Sequence, residues 1–310
     1  MKKILLMLSV LAICFASCQK VNTENTEEEE GTELSGDDII PFKDPNFLEA
    51  LISLGLDYNQ DGQISVNEAY YVNKLSVNSR NISDISEIQY FTGLTYLDCS
   101  DNQLTALNVN KCPELEYLDC SDNQFTTLDV SNCPQLSELY CSNNQLTTLD
   151  VSNCLFLSSL DCNNNQLGVL AVNPNLWELD CSYNQLIVLD VSNCSRLSGL
   201  DCSYNQLVAL DLGPDVKILY CRYNQLATLD ISNCPRLSEL HCANNQLTAL
   251  DVSNCPHLYA LSVYKFDEVH DNHLQTFIIS QSQLDASWLL TVRFCFPDIE
   301  IIVKEDPVVA

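Results

Sequence analysis

The chain has 310 residues, 46% of them hydrophobic, which is enough to bury a large core and allows more than one domain. Its 42 acids against 14 bases give a formal net charge of -28. That balance excludes nucleic acid, whose phosphates need a basic face, and adsorption to anionic lipid, while cations and basic proteins stay electrostatically favoured.

Residues 1–17 read as a targeting segment. Lys2 and Lys3 precede an apolar run, Ile4 to Phe15, too short for a comfortable membrane span. The run ends Phe15-Ala16-Ser17-Cys18, which resembles the lipobox of bacterial lipoproteins, where cleavage precedes a cysteine that is then acylated. The resemblance implies lipid on Cys18; an ordinary signal peptide cut near Ser17 is the alternative. Gln19 stands where an Asp commonly marks inner-membrane retention, so the same resemblance implies the outer membrane. Residues 18–40 read as a disordered tether, rich in Asn, Thr, Glu, Gly and Ser and lacking aromatics. Its acidic run, Glu27 to Glu30, extends the tether by self-repulsion and also resembles surface-export signals of some Gram-negative lipoproteins. A surface-exposed outer-membrane lipoprotein is the expected localisation.

Residues 41–73 read as a small helical cap. Asp44 caps a helix with Pro45 at its first position, and Phe47, Leu48, Leu51 and Ile52 mark one face. The stretch from Asp57 to Glu68 then resembles an EF-hand calcium loop, with the single loop also similar to those of dockerin-like modules, which carry two. The resemblance implies a structural calcium held by Asp57, Asn59 and Asp61, the Gln63 carbonyl, Ser65 through a water, and a bidentate Glu68, with Gly62 at the sharp turn. The competing reading is a polar helix-turn-helix in which Ser65 and Glu68 form a capping box.

From about Leu75 the sequence repeats. LTYLDCSDNQLTALNVNKCPE, LEYLDCSDNQFTTLDVSNCPQ and LSELYCSNNQLTTLDVSNCLF are consecutive rows. One cysteine column runs Cys99, Cys120, Cys141, Cys162, Cys181, Cys202, Cys221 and Cys242, at a spacing of 21 residues with two steps of 19. This looks like the leucine-rich-repeat pattern with Cys at one core leucine. It implies a repeat solenoid of the α/β-type class, a curved parallel sheet over residues 74–280. No single unit can bury its own leucines, so neighbours must stack. Leu97 and Cys99 alternate as one face of a short strand, and Asn102 begins an asparagine ladder that runs through Asn245 and serves the backbone where the strand turns. Residues 281–310, with Trp288, Leu289, Phe294 and Phe296, read as a terminal cap.

Of the 17 cysteines, eight fall in the first column and six in a second, Cys112 to Cys255. Each stands where a small apolar core residue would, so they read as free core thiols and not as disulfides. Asp267, Glu268, His270, Asp271 and His273 cluster in an interruption of the repeats and read as a solvated acidic loop, although a metal can be drawn there. No nucleophile–base pair, phosphate loop or zinc-protease helix is present, so an enzyme is not expected.

Residues between the inward Leu and Cys face outward on the expected concave side: Asp98, Asp119, Tyr140, Asp161, Asp180, Asp201, Tyr220 and His241. Tyr183, Tyr204 and Tyr223 lie two positions past the cysteine in consecutive coils. Carboxylates ~5 Å apart repel by ~0.8 kcal/mol in water and ~3 at an effective dielectric of 20, so the column calls for cations or a basic partner. Simple repeat duplication is the bland alternative. The other Asp column, Asp129 to Asp251, is spaced for turns with a following Ser and reads as structural. The chain resembles bacterial surface leucine-rich-repeat lipoproteins of the internalin-like group, which implies recognition of a protein partner. The ligand-binding residues so expected are Asp180, Tyr183, Asp201, Tyr204, Tyr220 and Tyr223. Glycan capture is the alternative, since rings stack on sugars, and a structural envelope protein the blander one.

Overall fold

The computed structural model describes residues 34–264, 272–296 and 298–306. The signal segment, Cys18, most of the tether and His270 with its acidic neighbours lie outside the described residues.

The repeat becomes a parallel solenoid. Each coil contributes a three-residue strand of pattern x-Leu-x, from Lys74–Ser76 through Tyr96–Asp98 and Tyr117–Asp119 to Ala260–Ser262, and ten such strands pair in one parallel sheet. The alternation of strand side chains drives the central leucine inward, so Leu97, Leu118, Leu160 and Leu200 are buried while their two neighbours face out. Each leucine so buried contributes roughly 1.5–3 kcal/mol. Further along each coil, short strands form a second face: Thr148–Asp150 pairs with Val169–Ala171, and Val188–Asp190 with Ala209–Asp211. At the C-terminal end Ala249–Asp251, Thr276–Ser280 and Glu300–Lys304 make a three-stranded sheet.

The asparagine ladder ties neighbouring coils at the corner where the chain leaves the main sheet. Asn144 donates to the carbonyls of Cys120, Cys141 and Ser142, and its Oδ1 accepts from Phe125 N–H at 2.9 Å. One buried amide thus serves two adjacent coils, which is why the position is asparagine in coil after coil. The ladder resumes after the interruption: Asn272 accepts from Leu247 N–H and donates to Cys242 and Val263.

No disulfide joins the two cysteine columns; both are buried thiols. Burial pushes the thiols up, Cys112 to about 11 and Cys133 to about 12, which keeps them protonated and inert. The second column also has a polar task. Cys112 lies 3.6 Å from the Phe91 carbonyl, Cys154 3.7 Å from Val130 and Cys194 3.4 Å from Asn173, each thiol donating to the coil before it.

The ends differ from expectation in detail. Helix α1 (Pro45–Ser53) is capped by Asp44 as expected, but it buries Phe47, Ala50 and Leu51, while Ile52 faces solvent. Asp44 also accepts from Ser83 N–H and Oγ at 2.6 and 2.7 Å, binding the helix to the first coil. Residues 35–40, placed by the sequence in the tether, are packed on the body: Ile40 is buried, Ile39 bridges Ser65, and Ile40 N–H donates to the Ile64 carbonyl at 2.9 Å. Helix α2 (Val66–Tyr70) follows the loop. At the other end α3 (Ser287–Cys295) buries Trp288, Leu289 and Val292, and Trp288 Nε1 donates to the Leu258 carbonyl at 3.2 Å. The strand Glu300–Lys304 then pairs with Thr276–Ser280 and adds a further layer of stacking.

Candidate functional site

In the loop between α1 and α2 the carboxylates turn towards the loop's own backbone. Asp57 accepts from Asp61 and Gly62 N–H at 3.1 and 2.9 Å, Asn59 from Asp61, and Asp61 from Gln63. Gly62 sits at φ 81, the left-handed region that the sharp turn requires. Glu68 is buried; its Oε1 accepts from Tyr58 N–H at 2.8 Å and its Oε2 from Ser65 N–H at 2.8 Å. Burial, the largest influence, works to raise its pKa, but the bonds from Ser65, Tyr58 and Asn59 together outweigh it and hold the carboxyl below its ordinary value. The capping box offered by the alternative reading is therefore formed. Ser65 gives its hydroxyl to that box, donating to Glu68 Oε2 and accepting from Glu68 N–H. The donor set fits calcium chemically, since Asp57, Asn59, Asp61, the Gln63 carbonyl, Ser65 and Glu68 offer hard oxygen only. Among the described residues no group of three or more His, Cys, Asp or Glu is placed to hold a metal ion.

The outward column of the main sheet is continuous. Strand register aligns Asp98, Asp119, Tyr140, Asp161, Asp180, Asp201, Tyr220 and His241. Its aspartates use one oxygen for a local turn: Asp119 accepts from Ser121 N–H at 3.0 Å, Asp180 from Ser182 and Asp201 from Ser203 at 2.9 Å. The other column does the same, with Asp129 accepting from Ser131 N–H at 3.0 Å. The two columns share a motif and differ in burial. Burial first, then repulsion from Asp180 and Asp119, raises Asp161 to about 6. Burial likewise raises Asp119 and Asp201, whereas the Ser131 hydroxyl and N–H hold Asp129 below its ordinary value.

Tyr183, Tyr204 and Tyr223 form one stack, as their spacing suggested. Their centroids are 4.2 Å apart at interplanar angles of 9° and 14°. They stand at the corner just past the strands, in left-handed backbone at φ 53, 56 and 53. Elsewhere the same corner holds Asp101, Asp122, Asn143, Asn164 and Asn244, which tolerate that conformation. A tyrosine there is strained, so fold requirements do not explain the choice.

Beside the stack lies a depression of about 360 Å³ walled by Asp201, Tyr204, Tyr220, Arg222 and His241. Tyr220 is not part of the stack; it meets His241 edge-on at 4.7 Å and donates to Glu239 at 2.9 Å. The Arg222 guanidinium rests against the His241 ring, and its Nε is buried without a hydrogen-bond partner. Sequence reading missed Arg222 and Glu239, and also a second stack, Tyr96 on Tyr117 at 4.3 Å. Aligning the column before each inward leucine would have found the last.

A family model described as leucine rich repeats (two copies) matches residues 92–133, 113–154 and 214–263, and an LVIVD-repeat model matches residues 182–205. No curated protein matches the chain. Among solved structures, the functional domain of InlJ from Listeria monocytogenes, described as including a cysteine ladder, is 24% identical with a TM-score of 0.51, over 86% of this chain and 71% of that one. The Leptospira interrogans leucine-rich-repeat protein LIC12759 is 21% identical with a TM-score of 0.53, over 76% and 73%. The plant peptide hormone receptor RGFR1, solved in complex with RGF2, is 23% identical with a TM-score of 0.54, over 78% and 42%. At these identities the likeness establishes the fold, and the fold is a leucine-rich-repeat solenoid, an architecture commonly used for protein binding.

Proposed function

We propose that this chain is a lipoprotein, anchored through Cys18 and exposed on the outer membrane, whose solenoid binds a protein partner and performs no catalysis. The observation that carries the binding reading is the tyrosine stack, held in strained backbone beside a half-buried aspartate column. Tyrosine gives large contact area with little entropy to lose, and buried aspartates favour a basic partner. The glycan alternative gains nothing from Tyr204: a sugar needs a ring face, and both faces of that ring are covered by its neighbours. The test is capture of a partner on intact cells, followed by Tyr204→Ala. Loss of more than ~1 kcal/mol of affinity with unchanged melting supports the stack as the contact; unchanged affinity removes the stack from the site, and capture of no partner refutes the reading. Anchorage is tested separately, since Cys18→Ser should release the chain from membranes and abolish labelling by a fatty-acid analogue.

Calcium in the loop of Asp57, Asn59, Asp61, Gln63, Ser65 and Glu68 belongs to the same proposal, as a structural ion at the N-terminal cap. It would supply positive charge to a loop now held by its own N–H groups. Melting should rise with calcium and fall with chelator. Asp57→Asn, which keeps the size of the side chain, should shrink that difference; an unchanged difference refutes the site.

A further inference from the structure

Repeats give each outward position a built-in control, because the same place in other coils shows what the fold alone accepts. Departures from that control gather in adjacent coils. The corner column reads Asp, Asp, Asn, Asn and then Tyr183, Tyr204 and Tyr223 before Asn244. Four residues further on, Thr105, Thr126 and Thr147 give way to Gly168, Ile187, Val208 and Ala227 before Thr248. Simple duplication would copy the consensus, and it does not place two kinds of departure in the same coils.

The substituted side chains are exposed. Tyr183 is 52% exposed, Ile187 46% and Val208 45%. They belong to neighbouring coils, since Val208 N–H donates to the Ile187 carbonyl at 2.9 Å and Tyr183 stacks on Tyr204. Two rows of acid bound the corner: Asp180 and Asp201 on the main sheet, and Asp190 and Asp211 on the second face. Large aromatics bury 150–250 Å² each when covered, so the exposed parts here amount to several hundred Å², on the order of half of one side of a standard interface. The flanking acids fall where the rim of such an interface would lie.

We infer that the solenoid's contact surface is this corner of the coils carrying Tyr183 and Ile187 to Val208 and Tyr223, and that it takes a protein segment with an apolar centre flanked by lysine or arginine. The inference rests on the proposed protein-binding role and deepens it, because it extends the contact along the corner from the tyrosine stack to Ile187 and Val208 and gives the partner an apolar centre. Apolar area at the centre supplies affinity, and the two acid rows select for basic flanks and speed encounter.

The test pans a random twelve-residue peptide library against the full-length chain held in detergent. The expected peptides carry aliphatic or aromatic centres with flanking Lys or Arg. Their affinity should fall at least about tenfold in the consensus reversion Tyr204→Asn with Ile187→Thr and Val208→Thr. Each introduced residue stands at the same position in other coils, as Asn164 and Asn244 or Thr147 and Thr248, so circular dichroism and melting should be unchanged. A control, Tyr117→Glu, introduces the residue found at Glu138 and should leave binding intact. Peptides that survive the triple reversion but are lost in the control overturn the inference and leave the protein-binding reading standing on the sheet face. Acidic peptides overturn the inference as well, and recovery of none above background overturns both.

Discussion

The early coils and the middle coils use the same corner in different ways. At Asp101, Asp122, Asn143 and Asn164 the left-handed backbone carries the residues that tolerate it, and Asn164 reaches back to Asn143 along the stack. At Tyr183, Tyr204 and Tyr223 the backbone angle is the same and the side chain is one that the angle disfavours. The difference separates what the solenoid requires from what it merely permits. The asparagine one residue later never changes, from Asn102 through Asn245, because its amide satisfies buried backbone in two coils. The residue before it changes from Asp and Asn to Tyr while the backbone angle stays the same.

The largest effect should come from breaking the invariant half of that comparison. Asn205 donates to the carbonyls of Cys181, Cys202 and Ser203 and accepts from Leu186 N–H. Asn205→Ala leaves several buried groups unpaired and should cost about 3 kcal/mol or more, measured by urea unfolding. A loss under ~1 kcal/mol would show the ladder to be dispensable. Its neighbour substitution, Tyr204→Asn, should change stability by less than ~1 kcal/mol.

A middling effect, dependent on pH, is expected on the sheet. Asp161 rises from an ordinary 3.8 to about 6 in the folded chain. Its folded-state pKa is raised, so its contribution to stability is full below the unfolded pKa and is lost as pH rises through about 6. Asp161→Asn should therefore leave stability near pH 3.5 unchanged and raise it by roughly 1–2 kcal/mol at pH 7.5. Equal effects at both pH values would contradict the assignment. Asp129, at the exposed column, is shifted the other way, and Asp129→Asn should not stabilise at either pH.

The thiols should show no difference along the solenoid. Cys120 and Cys202 are fully buried, and burial raises both well above the ordinary thiol value. Alkylation should be negligible in the folded chain and complete after denaturation without reductant. Residual protection after denaturation would reveal disulfides.

What the sequence made legible was whatever the repeat period writes into one row. The inward leucines, the asparagine ladder, the buried thiols and the Asp129-type turns all depend on spacing within a coil. What it hid depends on partners from elsewhere in the chain. Ile40 reads as the end of an acidic tether until the loop at Ile64 and Ser65 is seen beside it. Asp44 reads as a cap alone until Ser83 is seen to share it. The thiols of the second column read as apolar filling, because the carbonyls they meet belong to the preceding coil. The two aspartate columns read as different in kind, one for binding and one for turns. Both make the same turn, and burial, which the row does not show, is what separates them.

The most direct test of the central claim, that the tyrosine column serves a partner and not the fold, is the unfolding free energy of the triple variant Tyr183→Asn, Tyr204→Asn and Tyr223→Asn. Relief of left-handed strain at three bulky residues, on the order of 1 kcal/mol each, opposes the loss of two stacked pairs at ~0.5–1.5 kcal/mol each. The predicted result is stability within about 1 kcal/mol of the parent chain, or slightly above it. A loss of about 3 kcal/mol or more would contradict the claim, because the stack would then be holding the coils together.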